Sequence, residues 1–157
     1  KYGFIDKSGK IVVNPQFDDA DSFSEGLARI ELNGKYGFID KSGKIVVNPQ
    51  FDWADVLFSE GLGRIELNGK YGFIDKSGEF VVYPQFDYID KDPLSEGLAK
   101  IKLNGKWGLI DKSGEFVVYP QFDEIETYKG IIFILDNGKG WIYRDGKYIA
   151  YPFDLNR

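Results

Sequence analysis

The chain predicts an all-β fold of tandem repeats, each about 35 residues and a three-stranded antiparallel meander, stacked as an open β-solenoid or superhelical array. Three observations carry that expectation. Lys-(Tyr/Trp)-Gly recurs at Lys1, Lys35, Lys70 and Lys106, at spacings of 34, 35 and 36 residues. Asn-Gly pairs at Asn33, Asn68, Asn104 and Asn137 each separate two runs of strand-forming residues. That is the strongest short hairpin signal, because a type I′ turn needs positive φ at both central positions. Nineteen glycines beside 43% hydrophobic and 17% aromatic residues fit a packed, turn-rich fold.

Repetition is close to literal. Lys1 to Asp18 is identical to Lys35 to Asp52, and Arg29 to Gly43 is identical to Arg64 to Gly78. Copies this close point to recent duplication or consensus design. The chain divides into repeats at approximately 1–34, 35–69, 70–105 and 106–138, with a degenerate copy over 139–157, all in one repeat domain. In that last copy Gly140 and Trp141 exchange order relative to the other repeats, as expected of a capping repeat.

Within the second repeat the expected elements are an entry strand (Leu27 to Leu32), a central strand (Lys35 to Asp40) and a return strand (Lys44 to Asn48). Lys41-Ser42-Gly43 suits a type I turn closed by a glycine bulge. The Asn-Gly turn pairs Ile30 with Gly37 and Arg29 with Phe38, and the next turn pairs Ile39 with Ile45, Phe38 with Val46 and Gly37 with Val47. Alternation then places Ala28, Ile30, Gly37, Ile39, Ile45 and Val47 on one face, with Leu27, Arg29, Glu31, Tyr36, Phe38 and Val46 on the other. Both faces are apolar around the central strand, so both must be covered, and neighbouring repeats are the available cover. Gly37 reads as a site of close approach between layers. The alternative architecture is a closed five-bladed β-propeller. The open form is favoured because the chain opens at a central strand and shows no entry strand after its last return strand.

Beyond each return strand, Pro15, Pro49, Pro84 and Pro120 end or bend the ladder. Phe17, Phe51, Phe86 and Phe122 follow and are assigned to the core. A longer connection, with room for a short strand, carries Phe23, Phe58 and Leu94 as further anchors. Its content changes from copy to copy, with Trp53, Tyr88 and Glu124 at one equivalent position, as expected of a surface segment.

Taken together, Lys-(Tyr/Trp)-Gly, Asp-Lys-Ser-Gly, Pro-Gln-Phe-Asp and Ser-Glu-Gly-Leu make the chain resemble the WG, or KWG, repeat family along nearly its whole length. Tyrosine stands for the signature tryptophan at Tyr2, Tyr36 and Tyr71, and Trp107 keeps it. The resemblance implies an all-β repeat domain found mainly in bacterial proteins, often joined to other modules and assumed to mediate binding. It carries over no catalytic residue.

Composition narrows the chemistry. Asp and Glu total 25 against 20 Lys and Arg, which argues against a nucleic-acid partner. The absence of cysteine and histidine removes disulfides, thiolate metal sites, cysteine nucleophiles and the commonest general base. No apolar run has the length of a membrane span, and Lys1 enters a strand motif directly, as in a mature or excised piece. Location stays open, secretion and the cell surface included.

Only carboxylates remain as candidates for catalysis. Asp6, Asp40, Asp75 and Asp111 precede Lys-Ser-Gly and read as turn formers. Glu25, Glu60 and Glu96 recur in Ser-Glu-Gly and read as backbone or lysine partners. A glycosidase needs one unequal carboxylate pair in a cleft, and repeated identical copies are the opposite. Calcium at Asp18, Asp19 and Asp21 is a weaker reading, because the spacing is lost in later copies.

The column Tyr2, Tyr36, Tyr71 and Trp107 reads as repeat core before it reads as a stacking ladder. The variable aromatics Trp53, Tyr88 and Tyr128 are the better candidates for recognition. The expected function is a non-catalytic scaffold with no cofactor and no metal. It would bind a protein partner or associate with itself end to end, and the alternative is a carbohydrate-binding module using exposed aromatics.

Overall fold

The computed structural model describes residues 1–56, 58–90, 97–128 and 131–154, with 150–154 by backbone alone. Every regular element among them is a β-strand. A two-stranded sheet comes first, Tyr2–Ile5 (β1) with Ile11–Phe17 (β2). Four antiparallel sheets of four strands follow, each in chain order, and none closes into a barrel. The first holds Asp19–Ala20 (β3), Leu27–Leu32 (β4), Lys35–Asp40 (β5) and Ile45–Phe51 (β6). The second holds Trp53–Ala54 (β7), Leu62–Leu67 (β8), Lys70–Asp75 (β9) and Phe80–Phe86 (β10). The third holds Tyr88–Ile89 (β11), Ala99–Leu103 (β12), Lys106–Ile110 (β13) and Phe116–Phe122 (β14). The last holds Glu124–Tyr128 (β15), Ile131–Asp136 (β16), Lys139–Arg144 (β17) and Lys147–Asp154 (β18). The chain forms two compact units, Lys1–Gln85 and Phe86–Arg157.

The meander of entry, central and return strands is present, with its turns formed as the local chemistry demands. Asn33 and Gly34 have φ of 53° and 73°, the type I′ pair, and Asn68, Asn104 and Asn137 repeat it. Asp40 N donates to Lys44 O at 2.9 Å and Gly43 N to Asp40 O at 3.0 Å, with Gly43 at φ 86°, which makes the glycine bulge. Ser24 and Leu27 exchange backbone bonds of 2.8 and 3.0 Å around Glu25 and Gly26, both at positive φ. This third tight hairpin holds a glutamate in the left-handed region.

Each meander gains a short fourth strand from the variable connection. β3, β7 and β11 are two residues long and pair with the entry strands. In β7 and β11 the second residue points inward, and Ala54 and Ile89 are fully buried. Leu94 lies outside the described residues.

The register of the return strand differs from the simple count. Ile39 does pair with Ile45, but Phe38 pairs with Val47 and Tyr36 with Phe51. One extra residue enters before Val47 and further ones surround Pro49, which has no N–H to give the ladder. Val47 therefore packs with Phe38 and not with Ile39, while Ile45 stays 41% exposed.

Gly37 is corrected as well. A Cβ there would lie 2.4 Å from Val47 O and 2.6 Å from Pro49 N, so its close approach is to the bulge of its own return strand. The close approach between layers belongs to Gly43 and Gly78, whose added Cβ would meet Val13 Cγ2 and Val47 Cγ2 at 2.6 Å.

Both faces of the β3–β6 sheet are covered. Ala28, Ile30 and Ile39 share a core with Val13 and Phe17 of the preceding sheet. Leu27, Phe38, Val47 and Phe51 share another with Ala54, Phe58, Ile65 and Ile74 of the following one. Adjacent residues Phe38 and Ile39 are thus 1% and 0% exposed on opposite sides. In the second compact unit Leu109, Val118, Ile125, Ile132 and Ile134 form the corresponding core. Phe17, Phe51 and Phe86 are buried as expected, and Phe122 is half-buried.

Gly37→Ala is expected to lower unfolding stability by about 1–3 kcal/mol, because the methyl cannot fit without shifting the bulge. Urea unfolding measures this, and an unchanged midpoint would contradict the account.

Candidate functional site

The recurring charges connect one repeat with the next. The aspartate after each core phenylalanine accepts from the backbone N–H of the following Asn-Gly turn. The distances are 2.8 Å for Asn33 to Asp18, 2.7 Å for Asn68 to Asp52, 2.6 Å for Asn104 to Asp87 and 2.9 Å for Asn137 to Asp123. Its other oxygen takes the lysine that opens the preceding central strand: Lys1 on Asp18, Lys35 on Asp52, and Lys106 on Asp123 at 2.5 Å. Lys35 lowers the Asp52 carboxyl below the usual range first, and the Asn68 amide second. Lys1 and then Asn33 do the same at Asp18, and Lys106 and then Asn137 at Asp123.

The aspartates before Lys-Ser-Gly act locally. Asp40 Oδ1 accepts from Ser42 Oγ at 2.6 Å, Ser42 N at 2.9 Å and Lys44 N at 3.1 Å, and Asp6, Asp75 and Asp111 repeat the arrangement. The serine hydroxyl is the leading cause that holds these carboxyls below their ordinary value. Glu25 reaches Lys76 at 2.9 Å, joining the leading turn of one sheet to the Asp-Lys-Ser-Gly turn of the next. Glu96 lies outside the described residues. Asp21 accepts from Arg29 Nε at 2.8 Å and Asp19 from the Ala20 amide at 2.9 Å. The three carboxylates weighed for calcium thus each have a protein partner.

A basic side chain on each of the entry strands β4, β8 and β12 sits against an aromatic ring and an aspartate. Arg29 lies 4.9 Å from the Tyr36 ring and donates from Nη1 to Ala54 O of the next repeat at 2.6 Å. Arg64 lies 4.8 Å from the Trp53 ring and 5.9 Å from Tyr71, with Asp55 at 3.3 Å. Lys100 Nζ lies 4.6 Å from the Trp107 ring and donates to Ile125 O at 3.2 Å, with Asp90 at 3.5 Å. For Arg29 and Lys100 the ring and the carboxylate hold the cation while it satisfies a carbonyl of the next sheet. Burial pushes the Asp55 carboxyl up, outweighing the attraction of Arg64. Burial and then Glu31 likewise raise the Tyr36 phenol.

The aromatics chosen from sequence fall at different places. Trp53, on β7, is half-buried between Arg64 and Tyr71, its ring centroid 6.3 Å from that of Tyr71. Tyr88, on β11, is 38% exposed and meets Trp107 edge-on at 6.0 Å. Tyr128, at the end of β15 opposite Ile131, is 63% exposed. Two more exposed rings escaped the sequence reading. Tyr83 is 69% and Tyr119 68% exposed, leaning on Phe80 and Phe116 at 4.7 Å. The signal that could have found them is the equivalent position in the first repeats, where Asn14 and Asn48 stand.

The model of the family described as WG containing repeat matches this chain four times, over residues 2–36, 36–71, 71–107 and 107–148. No curated protein matches it. Solved structures offer distant likenesses. A chain of the S. cerevisiae Dbp5 complex with Nup159, Gle1, IP6 and ADP matches at 11% identity and TM-score 0.43, over 85% of this chain and 44% of that one. The extracellular domain of the one-component system BT4673 of B. thetaiotaomicron matches at 13% identity and TM-score 0.37, over 96% and 26%. A symmetrical protein studied for its de novo evolutionary emergence matches at 12% and 0.34, over 88% and 78%. The chain spans less than half of the first two, and scores this low carry no argument about function.

The lowered carboxyls fix the direction of the acid response. Their folded values lie below the ordinary 3.8, so their stabilisation is present above that pH and is lost as pH falls through the folded values. Asp52→Asn is expected to be less stable than the parent at pH 6, with the gap closing as pH falls below the ordinary 3.8 and through the lowered folded value. Urea unfolding across that range measures it, and a gap independent of pH would contradict the clamp.

Proposed function

Because the chain belongs to the family of WG containing repeats, we propose that it is a non-catalytic repeat scaffold presenting a protein-binding surface. One observation supports this reading above the rest, a division between recurring and variable residues. The recurring charged residues serve turns and repeat-to-repeat contacts, as Asp18, Asp40, Arg29 and Glu25 do. Aromatics at positions that change between copies, Tyr83, Tyr88, Tyr119 and Tyr128, are instead exposed. Large aromatic side chains with few rotatable bonds are what protein recognition surfaces favour.

End-to-end self-association is a second reading. Sedimentation at high concentration is expected to show oligomers, and monomers throughout would remove it.

Affinity enrichment on the immobilised chain, compared with a Tyr88→Ser/Tyr128→Ser variant of equal stability, tests the first reading. A partner retained by the parent and lost by the variant is the expected result. Signal on a glycan array without such a partner would favour the carbohydrate alternative. Turnover in a hydrolase screen would overturn the non-catalytic assignment.

A further inference from the structure

Two positions on the return strand change together between the earlier and the later repeats. Ile11 and Asn14 of β2, like Ile45 and Asn48 of β6, give way to Phe80 and Tyr83 of β10 and to Phe116 and Tyr119 of β14. In both later strands the two rings touch, with centroids 4.7 Å apart and planes tilted by 41° in β10 and 30° in β14. The phenylalanine is anchored on a buried ring. Phe51 meets Phe80 edge-on at 6.1 Å, and Phe86 meets Phe116 at 5.9 Å. The tyrosine stays exposed, and the proline that follows it, Pro84 or Pro120, confines its backbone to the extended region. β14 keeps the bulged register of β6 although tyrosine has replaced asparagine, so the ring is not needed to form the strand. Each tyrosine is an exposed ring held in place in advance, which reduces the entropy lost when something binds to it.

The geometry selects the kind of ligand. Rings already in contact leave no gap for a prolyl or aromatic side chain between them, so a ligand lies on top. A pyranose with equatorial substituents has the flat C–H face that such a platform fits. Its hydroxyls need donors and acceptors, and a glutamine amide supplies both. Exposure alternates along Tyr83-Pro84-Gln85-Phe86, which puts Gln85 on the outer side with Tyr83, and Gln121 stands exposed in the same relation to Tyr119. Charge narrows the choice further. Glu79 and Glu115 directly precede the two phenylalanines, where the first repeats carry Lys10 and Lys44. An anion in place of a cation beside the platform disfavours an acidic sugar or a nucleic-acid base with its phosphates.

We propose that Phe80, Tyr83 and Gln85 form one binding site for a neutral β-linked glucan, and that Phe116, Tyr119 and Gln121 form a second. One pyranose stacks on each tyrosine while the glutamine amide bonds its hydroxyls. Each platform lies within one return strand and is a site by itself. The assignment goes beyond the protein-binding reading, whose test uses Tyr88 and Tyr128, and the two can fail separately.

The probe is a cello-oligosaccharide, neutral and β-linked, titrated onto the full chain by calorimetry. Saturable binding is expected. A Tyr83→Asn/Tyr119→Asn variant restores the residue that the first two repeats carry, so the strand has a precedent for folding with it. Its association constant is expected to fall at least about tenfold, and that of Gln85→Ala/Gln121→Ala about three- to tenfold. The Tyr88→Ser/Tyr128→Ser variant is expected to bind the sugar as the parent does. No binding by the parent, undiminished binding by the asparagine or the alanine variant, or tighter binding of polygalacturonate than of the neutral sugar would overturn the proposal.

Discussion

A β-layer with apolar side chains on both faces is stable only when both faces are kept from water, and the arrangement of this chain follows from that requirement. Phe38 and Ile39 are neighbours in sequence and so point to opposite sides, and each is buried in a different core. Each such side chain, fully buried, contributes about 1.5–3 kcal/mol. Neither core is complete within one repeat. The repeat is therefore a unit of sequence but not a unit of stability, the general condition of stacked repeats.

The polar residues make that stacking specific. Apolar layers alone would tolerate sliding of one sheet over another. Asp52 bonds Lys35 of one sheet and the Asn68 turn of the next, and Arg29 carries a cation from its own sheet to the Ala54 carbonyl of its neighbour. Glu25 and Lys76 join two turns in the same way. Among the described residues, Asp18, Asp40, Asp52 and Glu25 each accept from a turn amide, a serine or a cation. Variable residues include those of the two-residue outer strands and of the return strands, such as Tyr88 and Tyr83.

Much of this was legible in the residues because it is local chemistry. Asn33-Gly34 can form few turns other than the one it forms, and Asp40 within Asp-Lys-Ser-Gly dictates its own hydrogen bonds. Two apolar faces predicted cover on both. The bulge around Pro49 was less legible, since how many residues it absorbs is decided by Phe51 returning opposite Tyr36. That count moved Val47 to the other face and gave Gly37 its in-sheet contact. The Asp52 clamp was hidden because its partners lie 17 and 16 residues away in opposite directions along the chain. Tyr83 and Tyr119 stand where the first repeats carry Asn14 and Asn48, and their side chains face solvent.

The identical stretches Lys1 to Asp18 and Lys35 to Asp52 supply their own control. Ile5 and Ile39 share the same local sequence, yet they are 67% and 0% exposed because only the second has a sheet packed over it. The decisive measurement is the unfolding free energy of Ile5→Ala beside that of Ile39→Ala. Cover by neighbouring repeats predicts a loss of about 2–5 kcal/mol at Ile39 and no more than about 0.5 kcal/mol at Ile5. Equal losses at the two positions would show that burial is set within the repeat, and would contradict the account.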